Sequence, residues 1–182
     1  MMEKAMKKTA LHLSREAAFV LLTVALAVLL PQILHGAGIL LGVGGKLGQM
    51  LLPMYLPVLL LALYRGAVPA AVAGLLSPLV SFALTAMPQQ TLLPYITLEL
   101  IATGLFAGVI FKAKLPAVLR VLLVQLAAKA VRLIAFGVAL YAANGTLQAS
   151  ALFAGVVTSV PGVVIQLLVL SYLIVKKEKC NV

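Results

Sequence analysis

The sequence contains no aspartate and no tryptophan, one cysteine, and four acidic residues against fourteen lysines and arginines. Its glutamates stand singly, at Glu3, Glu16, Glu99 and Glu178, so no carboxylate pair is spaced for acid–base or metal chemistry. HExxH and CxxC spacings are missing as well, and neither a catalytic constellation nor a metal or cofactor site is expected. Cys180, alone in the C-terminal tail, cannot form an intrachain disulfide. "GVGGKLG" has the look of a phosphate-binding loop, but Leu47 follows Lys46 where serine or threonine should bind magnesium, and Leu40 replaces the first glycine. Charged residues amount to 10% of the chain, against roughly 25% in a soluble domain. That is too little charge to coat a globule in water.

What fills the chain instead is apolar sequence, 64% of it, in runs that approach the ~20 residues needed to cross about 30 Å of hydrocarbon. No ~10-residue alternating segments suggest a barrel, so the expectation is an all-α integral membrane protein forming one membrane domain. Six spans are expected, near Glu16–Leu34, Leu51–Leu63, Val68–Ala86, Leu92–Phe111, Val118–Ala143 and Leu147–Val175. Placing the N-terminus inside puts Lys4, Lys7, Lys8, Arg15, Arg65, Lys112, Lys114, Lys176, Lys177 and Lys179 on the cytoplasmic side, and only Lys46 outside. Both termini are then cytoplasmic, in a multi-pass protein of a cell membrane, with residues 1–15 a basic leader and 176–182 a basic tail. The net charge of +10 reads as anchorage to anionic lipid. Nucleic acid is not an expected partner, because no basic stripe carries interleaved aromatics. Two outer connections stand out: the glycine-rich loop 35–49, which contains Gly45, and residues 87–94.

Small residues recur at four-residue spacing, at Gly66, Ala70 and Gly74 and again at Gly104 and Gly108, and are expected to let helices approach closely. Ionisable groups inside spans are costly, at least ~2.5–3.5 kcal/mol at the bilayer centre. Glu99 in the fourth span and Lys129 and Arg132 in the fifth therefore need a reason. Gln125, Lys129 and Arg132 share one helix stripe. The last span adds Ser159 and Gln166 with the Pro161-Gly162 pair, which is expected to loosen the helix. Depths of ~10 Å for Glu99 and ~17 Å for Arg132 allow their long side chains to meet. Two cations against one carboxylate leave one positive charge to be matched by a bound anion. The other open reading is an ion-paired cluster that only fixes helix register. His35 is expected to be a solvated loop residue.

"LPMYLPVLLLALYRGAVPAAVAGLLSPLVSFALTAMP", Leu52 to Pro88, opens with two prolines four apart. Pro53, Met54, Pro57, Val58, Leu59, Gly66, Gly74, Pro78, Leu79, Met87 and Pro88, with Glu99 beyond, make this segment resemble the substrate-binding S components of energy-coupling factor (ECF) vitamin transporters. Tyr55 stands where many relatives have histidine, and Ala86 where they have glycine. In place of the family's AxxxA docking face, the first helix offers only Ser14–Ala18 and Thr23–Ala27. The motif covers about a fifth of the chain, while length and span count agree along nearly all of it.

The resemblance implies a vitamin receptor in a bacterial plasma membrane, without enzyme activity. It would work with a transmembrane coupling protein and two cytosolic ATPase subunits, and release its load inside. Implied substrate-binding residues are Tyr55, Glu99, Gln125, Lys129, Arg132, Ser159 and Gln166. Gly45, Pro53, Pro57 and Pro161 are the gating or helix-shaping positions, with Pro53 at the outer start of the second span and Pro57 bending it one turn deeper. The unmatched positive charge favours an anionic vitamin, pantothenate first, over cationic thiamine, for which no tryptophan is present to stack. The competing expectations are an autonomous secondary carrier or channel subunit, with Glu99 as its coupling carboxylate, and a non-transporting membrane assembly protein.

Overall fold

The computed structural model describes residues 2–42, 50–51, 53–144 and 156–180. Six long helices follow one another: α1 (Met2–Leu40), α2 (Tyr55–Arg65), α3 (Ala67–Thr85), α4 (Leu93–Ile110), α5 (Ala117–Asn144) and α6 (Val160–Cys180). Five of them, all but α2, are long and apolar enough to cross a membrane. The distribution of side chains matches that solvent. Leu21, Leu29, Ile33, Ile134, Val138 and Leu168 are exposed on the outer helices, whereas Ser77, Glu99, Thr103, Gln125 and Gln166 are buried. Polar groups inside and apolar groups outside is the arrangement hydrocarbon demands. This is a helical, multi-pass membrane protein.

The expected second span is the exception. Its helix, α2, has 11 residues, about 16 Å at 1.5 Å per residue and roughly half a bilayer's hydrocarbon. It packs against α1, α3, α4 and α6, and contributes Val58, Leu59, Leu61, Ala62 and Leu63 to the core. Its two prolines cost it no helical hydrogen bond. Pro53 precedes the helix, and Pro57 is its third residue, where a backbone N–H has no intrahelical acceptor anyway. The expected bend at Pro57 is thus replaced by a clean helix start. A single residue, Gly66 at φ 94°, then reverses the chain into α3.

Where α3 meets α4 the small residues are in closest contact. A Cβ on Gly74 would lie 2.5 Å from the Leu100 carbonyl oxygen, one on Gly104 2.5 Å from the Ala70 carbonyl carbon, and one on Gly108 2.2 Å from Ala67 Cα. The glycine spacing therefore sets how near these two helices come. α3 closes on Ala86 in the left-handed region, φ 55°, the position where the resemblance calls for glycine. A cis Met87–Pro88 bond follows.

Several boundaries differ from expectation: α1 begins at Met2 rather than Glu16, α2 at Tyr55 rather than Leu51, and α6 runs Val160–Cys180 where Leu147–Val175 was expected. Residues 35–40 continue α1, and the helix stops at Gly42, φ 73°, where Gly42 N–H bonds the Ile39 carbonyl at 3.1 Å. Ala37, Ile39 and Leu40 extend the apolar run past Gly36 and Gly38, and each glycine costs a helix only ~1 kcal/mol. Gly45 lies outside the described residues. At the other end of the chain, Pro161 is the second residue of α6 rather than a break within it. It follows a turn at Ser159, whose N–H bonds the Val156 carbonyl at 3.2 Å.

Candidate functional site

α4 begins at Leu93 with Pro94 in its first turn, and carries Glu99 into the interior. The carboxylate is 1% exposed and is gripped from two other helices. Tyr55, the first residue of α2, donates its hydroxyl to Oε2 at 2.8 Å. Arg132 on α5 donates Nη1 to the same oxygen at 3.1 Å, and Lys129 donates Nζ to Oε1 at 3.2 Å. One helical turn from this cluster, Tyr95 and Phe136 meet edge to face with ring centroids 5.0 Å apart. Being four residues from Glu99 and Arg132 respectively, they cover the ion cluster on one side.

Next along the α5 stripe, Gln125 donates to Gln166 on α6. Two amides bonded to each other inside the bundle fix the mutual rotation of α5 and α6. Ser159 is buried and donates to the Val156 carbonyl at 2.8 Å, satisfying a backbone acceptor at the turn before α6.

A cavity of about 310 Å³ opens beside the ion cluster. Tyr55 and Arg132 form its inner wall, with Pro53 and Met54 beside them. Ser81 and the connection Met87, Pro88, Gln89 and Leu92 close the α3–α4 side, and Thr158 the side toward α6. α1 supplies Pro31, Gln32 and His35. Gln32 Nε2 and His35 Nδ1 are buried and have no hydrogen-bond partner among the described residues. Unpaired buried polar atoms are expensive, and these two belong to residues that line the same cavity.

No match to this chain is found among known protein families, curated proteins or solved structures.

The expected site residues thus separate by depth. Tyr55, Arg132 and Pro53 border the cavity. Glu99 and Lys129 lie behind that wall and set its charge. Gln125, Gln166 and Ser159 do not line it: the two glutamines bond α5 to α6, and Ser159 closes the turn before α6. Pro57 is buried in the first turn of α2 and shapes the wall only by fixing where that helix begins.

Sequence reasoning missed Gln32 and set His35 aside as a loop residue. The available signal was a polar pair three residues apart in an otherwise apolar run, the same signal that picked out Lys129 and Arg132. The expected docking pairs also divide. Ser14 and Ala18 are exposed, but Thr23 and Ala27 are buried against the bundle, and Thr23 bonds the Phe19 carbonyl at 2.8 Å. Five residues separate Ala18 from Thr23, about 140° around a helix with 3.6 residues per turn, so the two pairs do not share a face.

Chemically, the site is one cavity with a guanidinium at its base, and with Lys129 and Glu99 behind it the cluster carries one net positive charge. Arg132 has five N–H donors and spends one on Glu99 in the bond described. The volume lies at the lower end of small-molecule sites, which span about 300–1,000 Å³.

Proposed function

We propose that the chain is the substrate-binding S component of an ECF-type importer, and that the cavity captures a small, water-soluble, anionic vitamin or related micronutrient. The observation that carries this reading is the cavity wall itself. Arg132 borders it and shares the Glu99 carboxylate with Lys129, which leaves one net positive charge, and Gln32 and His35, each with an unpaired buried polar atom, line it. A ligand carboxylate at Arg132 would balance the spare charge, and its polar groups would satisfy the α1 atoms. The resemblance in sequence gains support from where its residues lie: Pro53, Met54, Met87 and Pro88, from both ends of the motif, sit in the same wall. Pantothenate has the right charge.

In this proposal the cavity faces outside, the basic end of the bundle and both termini face the cytoplasm of a bacterial cell, and all six helices lie within the membrane domain. Energy comes from a coupling protein with two ATPase subunits, and the chain itself is not an enzyme. Glu99, held by three hydrogen bonds away from the cavity, is poorly placed for the ion coupling of an autonomous carrier.

The test is mass spectrometry of small molecules released from the purified protein, followed by titration of the one found. An anionic micronutrient whose affinity drops at least about tenfold in Arg132→Ala, with Lys129→Ala milder, is the expected result, since a charge-assisted hydrogen bond contributes about 1.5–3 kcal/mol. Unchanged affinity in both folded variants would sink the anion site. A cationic or apolar cargo would sink the substrate class.

A further inference from the structure

A second cavity, of about 370 Å³, lies at the opposite end of the bundle, where α2, α4 and α6 finish and α5 begins. Arg65, Lys112, Arg120, Lys177 and Glu178 line it. Glu16 on α1 adds a carboxylate 3.3 Å from Arg65 Nη2. Four cations therefore face two carboxylates.

Part of this charge is structural. Arg120 bonds the Leu115 carbonyl at 2.6 Å and the Phe111 carbonyl at 3.1 Å, and its Nη2 lies 2.6 Å from Glu178 Oε1. Lys177 donates one hydrogen bond to the Leu63 carbonyl at 2.6 Å, where α2 leaves its last acceptors unpaired. Closing helix ends accounts for those two residues. It does not account for Arg65, whose Nη2 is paired with Glu16 and whose guanidinium stacks 4.0 Å over Phe19, but whose Nε is buried without a hydrogen bond. Nor does it account for Lys112, which has no partner among the described residues.

We propose that this cavity binds a phosphate group, held by Arg65, Lys112 and the remaining donors of Lys177. Guanidinium and ammonium groups converging on a pocket are the usual receptor for a phosphate oxyanion. The position fits as well. The cavity lies at the ends of apolar helices, with Tyr64 exposed on its rim as interfacial aromatics are, at the level where lipid phosphates are concentrated. The phosphate comes either from an anionic lipid headgroup or from a soluble phosphate, and the two sources are separable.

Full-length protein in nanodiscs of phosphatidylglycerol mixed with phosphatidylcholine is released and its retained lipid counted by native mass spectrometry. In parallel, its thermal midpoint is read in pure phosphatidylcholine with and without inorganic phosphate, at matched ionic strength. Wild type is expected to retain phosphatidylglycerol over phosphatidylcholine by about tenfold, two basic contacts being lost with Arg65→Gln/Lys112→Gln. Lys114→Gln, an exposed cation outside the cavity, should keep the preference. A midpoint raised by phosphate, and not by chloride, assigns the soluble source. Lys112→Gln alone, at an exposed position, serves if the double variant does not fold. The proposal is overturned if wild type shows neither preference nor shift, or if the cavity variants keep what wild type shows. Loss of these readouts in Arg65→Gln/Lys112→Gln, which leaves the wall at Arg132 intact, distinguishes this cavity from the anion site there.

Discussion

Glu99 and Lys129 lie on the same ion cluster, yet removing them should have very different effects. Lys129→Met leaves Arg132 and Glu99 as a one-to-one pair, still 3.1 Å apart. Glu99→Gln leaves Lys129 and Arg132, whose side chains are 12% and 20% exposed, facing each other without a carboxylate. Breaking a buried pair so that charge is stranded costs about 3–5 kcal/mol. Glu99→Gln is therefore expected to lower the thermal midpoint steeply in detergent, with Lys129→Met lowering it far less. Equal losses would show that the cluster is not organised around Glu99. This much of the site was legible in the sequence, because a charge in an apolar span needs a partner and only one carboxylate was in reach. Gln32 and His35 escaped because neither stands out in an apolar run as a lysine or arginine does, and because His35 stood beyond a helix end placed one turn and more too early. Cavity walls join residues distant in sequence, so no local pattern could say that Tyr55 lines the cavity while Gln125 does not.

At the scale of elements, the α3–α4 contact decides where Glu99 sits. The two helices meet over glycines, and a methyl group on Gly104 would meet backbone atoms of Ala70 and Ala71 at 2.5–2.7 Å. Backbone cannot rotate out of the way as a side chain can, so α4 must move and carry its carboxylate with it. Gly104→Ala is expected to destabilise by about 1–3 kcal/mol, the range for overpacking. Gly36 is the contrasting case, a glycine in α1 with nothing within 4 Å of its missing Cβ. Gly36→Ala should stabilise by about 0.5–1 kcal/mol through helix propensity alone. Opposite signs in two thermal melts check the pair, and the same sign would refute the close-approach argument. Helix existence was readable from apolar runs, and three long helices, α3, α4 and α5, begin and end within a residue of where those runs do. Helix ends were less readable where glycine or proline is tolerated. Gly36 does not stop α1, and Pro57 and Pro161 mark starts where bends were expected. Composition gives the punctuation, and neighbouring turns decide whether it is used.

Among the described residues two cavities lie at opposite ends of an apolar bundle, and this polarity makes its orientation testable. Arg65, Lys112, Arg120 and Lys177 gather at the end opposite Arg132, and the same end receives the first turns of α5 and the last turns of α6. Lysine and arginine near span ends mark the cytoplasmic side. Cys180, the single cysteine, is an exposed free thiol at the end of α6 and so reports on that side without any engineering. In intact cells a membrane-impermeant maleimide should leave Cys180 unlabelled, and permeabilised cells should label it fully. His35→Cys in a Cys180→Ser background places the thiol in the wall of the other cavity and should reverse the pattern, with labelling in intact cells. Added substrate should then slow that labelling, since a molecule seated against Arg132 and Gln32 also covers position 35. Labelling of Cys180 in intact cells would invert the topology and place the Arg132 cavity inside. The chain would then present its charged pocket to the cytoplasm, an arrangement suited to export or to sensing and incompatible with capture from outside.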